Sequence, residues 1–426
     1  MKRPVMRSVM HFLARTLRHV LIVLGLCVLG HIPPAVADII VRPDGTGDYP
    51  TIQEAIDSIE DEDTIILTDG VFTGGGNWEL QIHGLEWVTI QSQSGNPATC
   101  YLELQGKQLA GVGDGTAEFR DLGFHNGDAC QAGYMTSVYF EGCRFEAMAS
   151  VSQTMEGHLQ FDDCLFIDGI DYQLHGAYAY DCSFTGCNGI ATGHELVMED
   201  CLVTGNSRDG ALFAMEGESS YYGGGNVHFL RTVFSNNQCA ALIEALCCTV
   251  DMDECLAYAN AGTTLVWDND RDCQDGYYDA LELEGCTFAG NESSGSAELS
   301  IAISPQGEGT YVIRECIVAF NANAAAVEYT GPHSLIPAFE CTALFGNAGG
   351  DWTGVIADQL GQNGNIHLDP VFCDLPGGDL TIAESSPCAP FSPPNSECPL
   401  IGALPVGCQG TPAESATWGS IKSRYR

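Results

Sequence analysis

Glu199-Asp200-Cys201-Leu202-Val203-Thr204-Gly205-Asn206 sets a cysteine behind acids, an apolar residue two places on, and a turn closed by asparagine. The pattern recurs about ten times. Cys143, Cys164, Cys182, Cys201, Cys255, Cys286, Cys316 and Cys341 align as a ladder, and Leu122 and Thr232 fill the same place in two further copies. Two places later stand Phe124, Phe145, Phe166, Phe184, Val203, Phe234, Phe288 and Val318, so i and i+2 are both apolar, the period of a strand with one buried face. That period turns outward the acids just before the ladder: Asp121, Asp163, Asp181, Asp200, Glu254, Glu315 and Glu340. Asn206, Asn237, Asn260, Asn291 and Asn321, five places after it, are expected to take left-handed turns. Copies lie 18 to 31 residues apart, which suits a solenoid of stacked strand-and-turn coils.

Upstream, residues 1–37 read as a secretory signal peptide: a basic start, an apolar run from Val20 to Leu29, and Ala35-Val36-Ala37 before Asp38. The apolar run is shorter than the ~20 residues that span a bilayer, so the mature chain is expected not to cross a membrane. Export then places the protein outside the cell, on its surface or in a periplasm. Residues 38–72 read as an entry cap and first coil. Thr51 and Glu54 form a capping box, and Ile52, Ala55, Ile56 and Ile59 share one helix face that would cover the first coil.

Tyr49-Pro50-Thr51-Ile52-Gln53-Glu54-Ala55-Ile56, then Asp63 to Leu67 and Gly70-Val71-Phe72, resemble the opening of secreted right-handed parallel β-helix proteins of the pectin-lyase-like kind. The resemblance implies an all-β, right-handed parallel β-helix of about a dozen coils over residues 73–368, closed by a Cys/Pro-rich cap at 369–408. It does not imply one activity, because that scaffold carries lyases, hydrolases, epimerases and non-catalytic surface proteins. The family's catalytic signatures are incomplete here. Of four polygalacturonase-like elements, the first and last are missing; Asp162-Asp163 stands for the paired Asp, although Asp163 belongs to the repeat, Gly193-His194-Glu195 has glutamate where the motif has glycine, and the few basic residues are scattered.

Cysteine usage divides in two. Most ladder thiols are expected to stay reduced as small buried groups. Cys373, Cys388, Cys398 and Cys408, in a loop-rich exported stretch, read as two disulfides with three possible pairings. The formal net charge is −40, and five of the 16 basic residues lie in the leader, so the remaining chain is more acidic still. Nucleic acid is thereby excluded as a partner, and anionic membrane is a poor one.

Long coils break the repeat and are the places expected to bind. Tyr221, Tyr222, Trp267, Tyr277 and Tyr278 could stack on a sugar. Asp268, Asp270, Asp272 and Asp275 alternate like calcium ligands, although Cys273 stands where an EF-hand has glycine. Calcium is the one cofactor implied. Residues 409–426 form a linker and a basic aromatic tail that an export or attachment system could read. The sequence favours a non-catalytic extracellular scaffold or adhesin engaging a cell-envelope component. Its alternative is a polysaccharide-binding or carbohydrate-active protein, a lyase or glycoside hydrolase, and catalysis is left undecided.

Overall fold

Alternation of apolar and polar residues along each short strand dictates a wall with one wet and one dry face, and identical walls bury their edges only by stacking. The computed structural model describes residues 38–408 except 133–135, 151–156, 171, 173, 175, 194, 218–224, 270–279, 294 and 305–308. It is a parallel β-helix. A first sheet of 13 strands runs from Ile39–Val41 to Ala338–Glu340, and a second of 12 strands from Gly70–Phe72 to Ala343–Phe345. A third face comprises three strands among Leu80–Ile82, Gln108–Val112 and Asp128–Ala132, and six from Ala191–Gly193 to Ala325–Thr330. All their pairings are parallel, and register is kept from coil to coil except for irregularities at Leu85/Trp87 and Gln238/Ala241.

The interior follows the expected columns. Phe119, Phe140 and Phe161 stack at 5.1 and 5.2 Å, and Phe145, Phe166 and Phe184 at 4.8 and 4.4 Å. The two columns meet edge to face, as between Phe161 and Phe166, the arrangement that aligns ring edge with ring face. Cys143, Cys164, Cys182, Cys201, Cys255, Cys286 and Cys316 are buried free thiols. Each donates to backbone carbonyls, as Cys201 does to Ala179 O and Glu199 O, both at 3.4 Å.

Three expectations need correction. Cys341 is not on the ladder: register pairs Ala343 with Ile317, so Thr342 follows Cys316 inward, its hydroxyl bonded to Ile313 O and Glu340 O. Cys341 sits instead on the corner at φ 46° and is bridged to Cys398. The second bridge is Cys373–Cys408, and Cys388 is a buried free thiol; Cys247 is disulfide-bonded as well. Thirdly, the asparagines do not take the left-handed turns. Those fall on the residue before the ladder (Asp163 φ 53°, Asp200 φ 57°, Glu254 φ 53°) and on the residue before each asparagine (Gly205 φ 66°, Asn236 φ 55°, Ala259 φ 54°).

The asparagines are buried instead, and their amides run from coil to coil. The Nδ2 of Asn206 donates to Asn237 Oδ1 at 2.9 Å, that of Asn237 to Asn260 at 2.9 Å, and that of Asn260 to Asn291 at 3.0 Å. Each Nδ2 also donates to a backbone carbonyl of the preceding coil, such as Phe234 O for Asn260. A corner turned by positive φ leaves backbone groups that the strand ladders do not serve, and this column serves them.

At the entry, Thr51 accepts from Glu54 N at 3.2 Å and caps a helix of five residues, Ile52–Ile56, whose apolar face is buried. At the exit, Trp352 packs edge-on against Phe339 with Ile356 and closes the last coil. The Cys/Pro-rich segment does something else: it lies back across the outer face of the second sheet. Leu380 packs on Leu256 and Ala289, Ile382 and Ile401 on Ile317 and Ala319, and Ala403 N donates to Thr287 Oγ1. Among the described residues no helix is long and apolar enough to cross a membrane. The signal-peptide and tail expectations lie outside the described residues.

Candidate functional site

Strand alternation that points cysteines and phenylalanines inward must point their neighbours outward, and register then lines those neighbours up from coil to coil. On the first sheet the residues four before the ladder form one column, Glu118, Tyr139, Gln160, Tyr178, Val197, His228, Asp251 and Glu282. Those two before it form another: Arg120, Glu141, Asp162, Tyr180, Glu199, Leu230, Asp253, Glu284 and Arg314.

The N-terminal half of this face carries a file of rings. Trp87 stacks on Tyr139 at 5.7 Å and 18°, Tyr139 lies 5.5 Å from His158, and His158 lies 4.8 Å from Tyr178. All four are half-buried. Polar neighbours hold their orientations. Trp87 Nε1 donates to Thr89 Oγ1, whose hydroxyl donates to Glu118; His158 Nε2 is 3.2 Å from Gln160 Oε1; Tyr178 Oη donates to Glu195 Oε1 at 3.1 Å. Desolvation and the Glu195 charge push the Tyr178 hydroxyl up to about 12, so it remains a donor.

The C-terminal half is acidic. His228 Nδ1 lies 3.0 Å from Asp251 Oδ2, and that hydrogen bond raises the His228 pKa. Arg231 clasps Asp200 at 2.6 and 2.7 Å and Glu199 at 2.6 Å, which raises its own pKa. Arg314 reaches Glu284 at 3.0 Å and Glu282 at 3.7 Å. Burial, together with Glu254, Glu284 and Asp251, pushes the Asp253 carboxyl up to about 6.

Of the expected loop residues only Trp267 and Asp268 are among the described residues, and neither lies on this face. Trp267 is fully buried, its Nε1 donating to Cys248 O at 2.8 Å, because its strand position points inward; it is not a surface ligand for sugars. Asp268 is half-buried on the outside of strand Ala261–Asn269. Tyr221, Tyr222, Tyr277, Tyr278, Asp270, Asp272 and Asp275 lie outside the described residues. What the sequence reading passed over are His158, His228, Tyr139, Tyr178 and Asp251. Counting back four or six residues from each ladder position would have found them.

No protein-family model matches the chain, and no curated protein matches its sequence. Among solved structures, the A-module of the Azotobacter vinelandii mannuronan C-5 epimerase AlgE6 is similar, with a TM-score of 0.36 and 12% identity over 75% of this chain and 94% of that one. A likeness at this level carries no statement about activity. The face itself is the better guide. Two hollows of about 350 and 270 Å³ lie elsewhere, one at the corner by Gly142 and Asp163 and one by Glu328 and Thr353. An extended polymer needs a long open face more than a closed hollow, and the rings supply one.

Proposed function

We propose that this protein binds a polysaccharide lengthwise on the outer face of its first sheet. The supporting observation is the file Trp87, Tyr139, His158 and Tyr178. Tyr139, His158 and Tyr178 lie on three successive coils about 4.8 Å apart, and the ring of Trp87, two coils before Tyr139, reaches that of Tyr139, so the four form one apolar file flanked by hydroxyl, amide and carboxylate partners. Pyranose rings present just such alternating apolar faces and hydroxyl edges. This takes up the carbohydrate alternative in preference to the scaffold, because the rings lay an apolar file along the wet side in addition to the cross-strand stabilisation that stacking gives any wall. The disulfides Cys341–Cys398 and Cys373–Cys408 fit an exported protein in an oxidising compartment.

The test is affinity electrophoresis and calorimetry of the full chain on xylan, mannan, cellulose oligomers and chitosan. At least one is expected to bind, and Tyr139→Ala with Tyr178→Ala to weaken it at least tenfold. No retardation on any of them, or an undiminished double variant, would sink the reading.

A further inference from the structure

A stack of coils leaves an unpaired strand edge at its end, and such an edge is a template for another strand. At the C-terminal end the chain closes two of its three edges itself. Phe339 N donates to Gln359 Oε1 and Cys341 N to Asn363 O on the first sheet, and Leu344 N donates to Ile366 O on the second. The third sheet ends differently. Its last strand, Ala325–Thr330, pairs with Ala297–Ile303 and has no strand on its other side. Ala325 N donates to Ser296 O, so the odd-numbered residues turn their backbone groups to the preceding strand and the even-numbered ones turn theirs to the open side. Ala326 N there meets Gly350 O, whereas the N–H and C=O of Glu328 have no backbone partner among the described residues.

The hollow of about 270 Å³ lies along this edge, between Val327 and Tyr329 on the strand and Thr353 to Ile356 on the segment that caps the last coil. Val355 is 39% exposed there. Ser296 Oγ donates to the Glu328 carboxylate and holds it at the edge. Free backbone groups, an apolar hollow and an acid thus stand together, and their complement is an extended segment with one apolar and one basic side. The chain contains such a segment outside the described residues. In Trp418 to Arg426, Ile421, Ser423 and Tyr425 alternate with Lys422, Arg424 and Arg426, which is the period of a strand, and its charge is opposite to the net −40 of the chain.

We infer that residues 418–426 join the third sheet as its seventh strand, pairing with the N–H and C=O of Glu328, with an apolar side chain of the segment in the hollow and a basic one beside the Glu328 carboxylate. Residues 409–417 give the segment a reach of up to ~30 Å from Cys408. The occupant is the chain's own because charge selects it: a second copy brings another acidic surface, and this segment brings cations. The added strand also removes an edge on which copies could otherwise pair. This inference is independent of the glycan reading.

The experiment follows hydrogen exchange in the full chain at Glu328 and Thr330, the amides that turn to the open side, and compares it with Ile421→Asp combined with Tyr425→Asp. Those substitutions fall outside the coils, so the coils still wind. The two amides are expected to exchange at least tenfold faster in the variant, and trypsin to cleave after Lys422 at least tenfold faster. Lys422→Glu with Arg424→Glu should likewise speed exchange at positions 328 and 330, and adding Glu328→Lys to that pair should slow it again. Equal exchange and equal cleavage in the parent and the Ile421→Asp, Tyr425→Asp variant overturn the inference. Charge variants without effect, or a charge exchange that does not restore protection, overturn the placement beside Glu328. Protection that is lost on dilution, together with a species of twice the mass in sedimentation, assigns the edge to a second copy and overturns it as well.

Discussion

Glu298 is fully buried, with one carboxylate oxygen accepting from the Thr264 hydroxyl and from Asn291 Nδ2 and the other without a donor. Burial pushes its pKa up to about 7 from an ordinary value of 4.5. Between those values the unfolded chain holds fewer protons at this residue than the folded one, so the contribution of Glu298 to stability is greatest below 4.5 and falls as pH rises to about 7, by on the order of 3 kcal/mol. Glu298→Gln should therefore stabilise the protein at pH 8 and flatten the difference between pH 5 and pH 8 in urea unfolding. An unchanged difference would mean that the carboxyl is solvated after all. Asn260 makes the converse case. It accepts from Asn237 N and Nδ2 and donates to Phe234 O and Asn291 Oδ1. Asn260→Ala strands buried groups on both neighbouring coils and is expected to cost about 2 to 4 kcal/mol in the same assay.

The coil corner is the element at which sequence and structure diverge. Columns of cysteine and phenylalanine were legible because period two has one physical meaning, a buried face. Asparagine has two, since it tolerates left-handed backbone and also makes buried amide columns, and nothing in one chain says which is in use. Cys341 misled for a related reason: threonine already replaces cysteine on the ladder at Thr232, so Thr342 was an equal claimant. Outward residues give no periodic signal of their own, and His158, His228 and Asp251 surface only once the ladder fixes the register. The corner also offers a test. Glu254 holds φ 53° beside Asp253, at a cost of about 1 kcal/mol for a side chain with a Cβ. Glu254→Gly should raise stability by up to about that amount and lower the Asp253 pKa, as followed by carboxyl NMR titration.

At the scale of the whole molecule, the two bridges Cys341–Cys398 and Cys373–Cys408 close loops of 57 and 35 residues in sequence. Loops of that size predict about 4 kcal/mol each from restricting the unfolded chain. Cys398→Ser should therefore lower the midpoint of thermal unfolding in non-reducing buffer, and dithiothreitol should lower that of the parent chain. Equal midpoints with and without the bridge would refute this. The segment carrying Cys398 rests on Leu256, Ala289 and Ile317, side chains from three successive coils, and so acts as a splint across them. Coils under a splint cannot separate singly. A pulling force applied to the two ends should thus peel the unsplinted N-terminal coils first, taking the ring file apart while the acidic half is still wound.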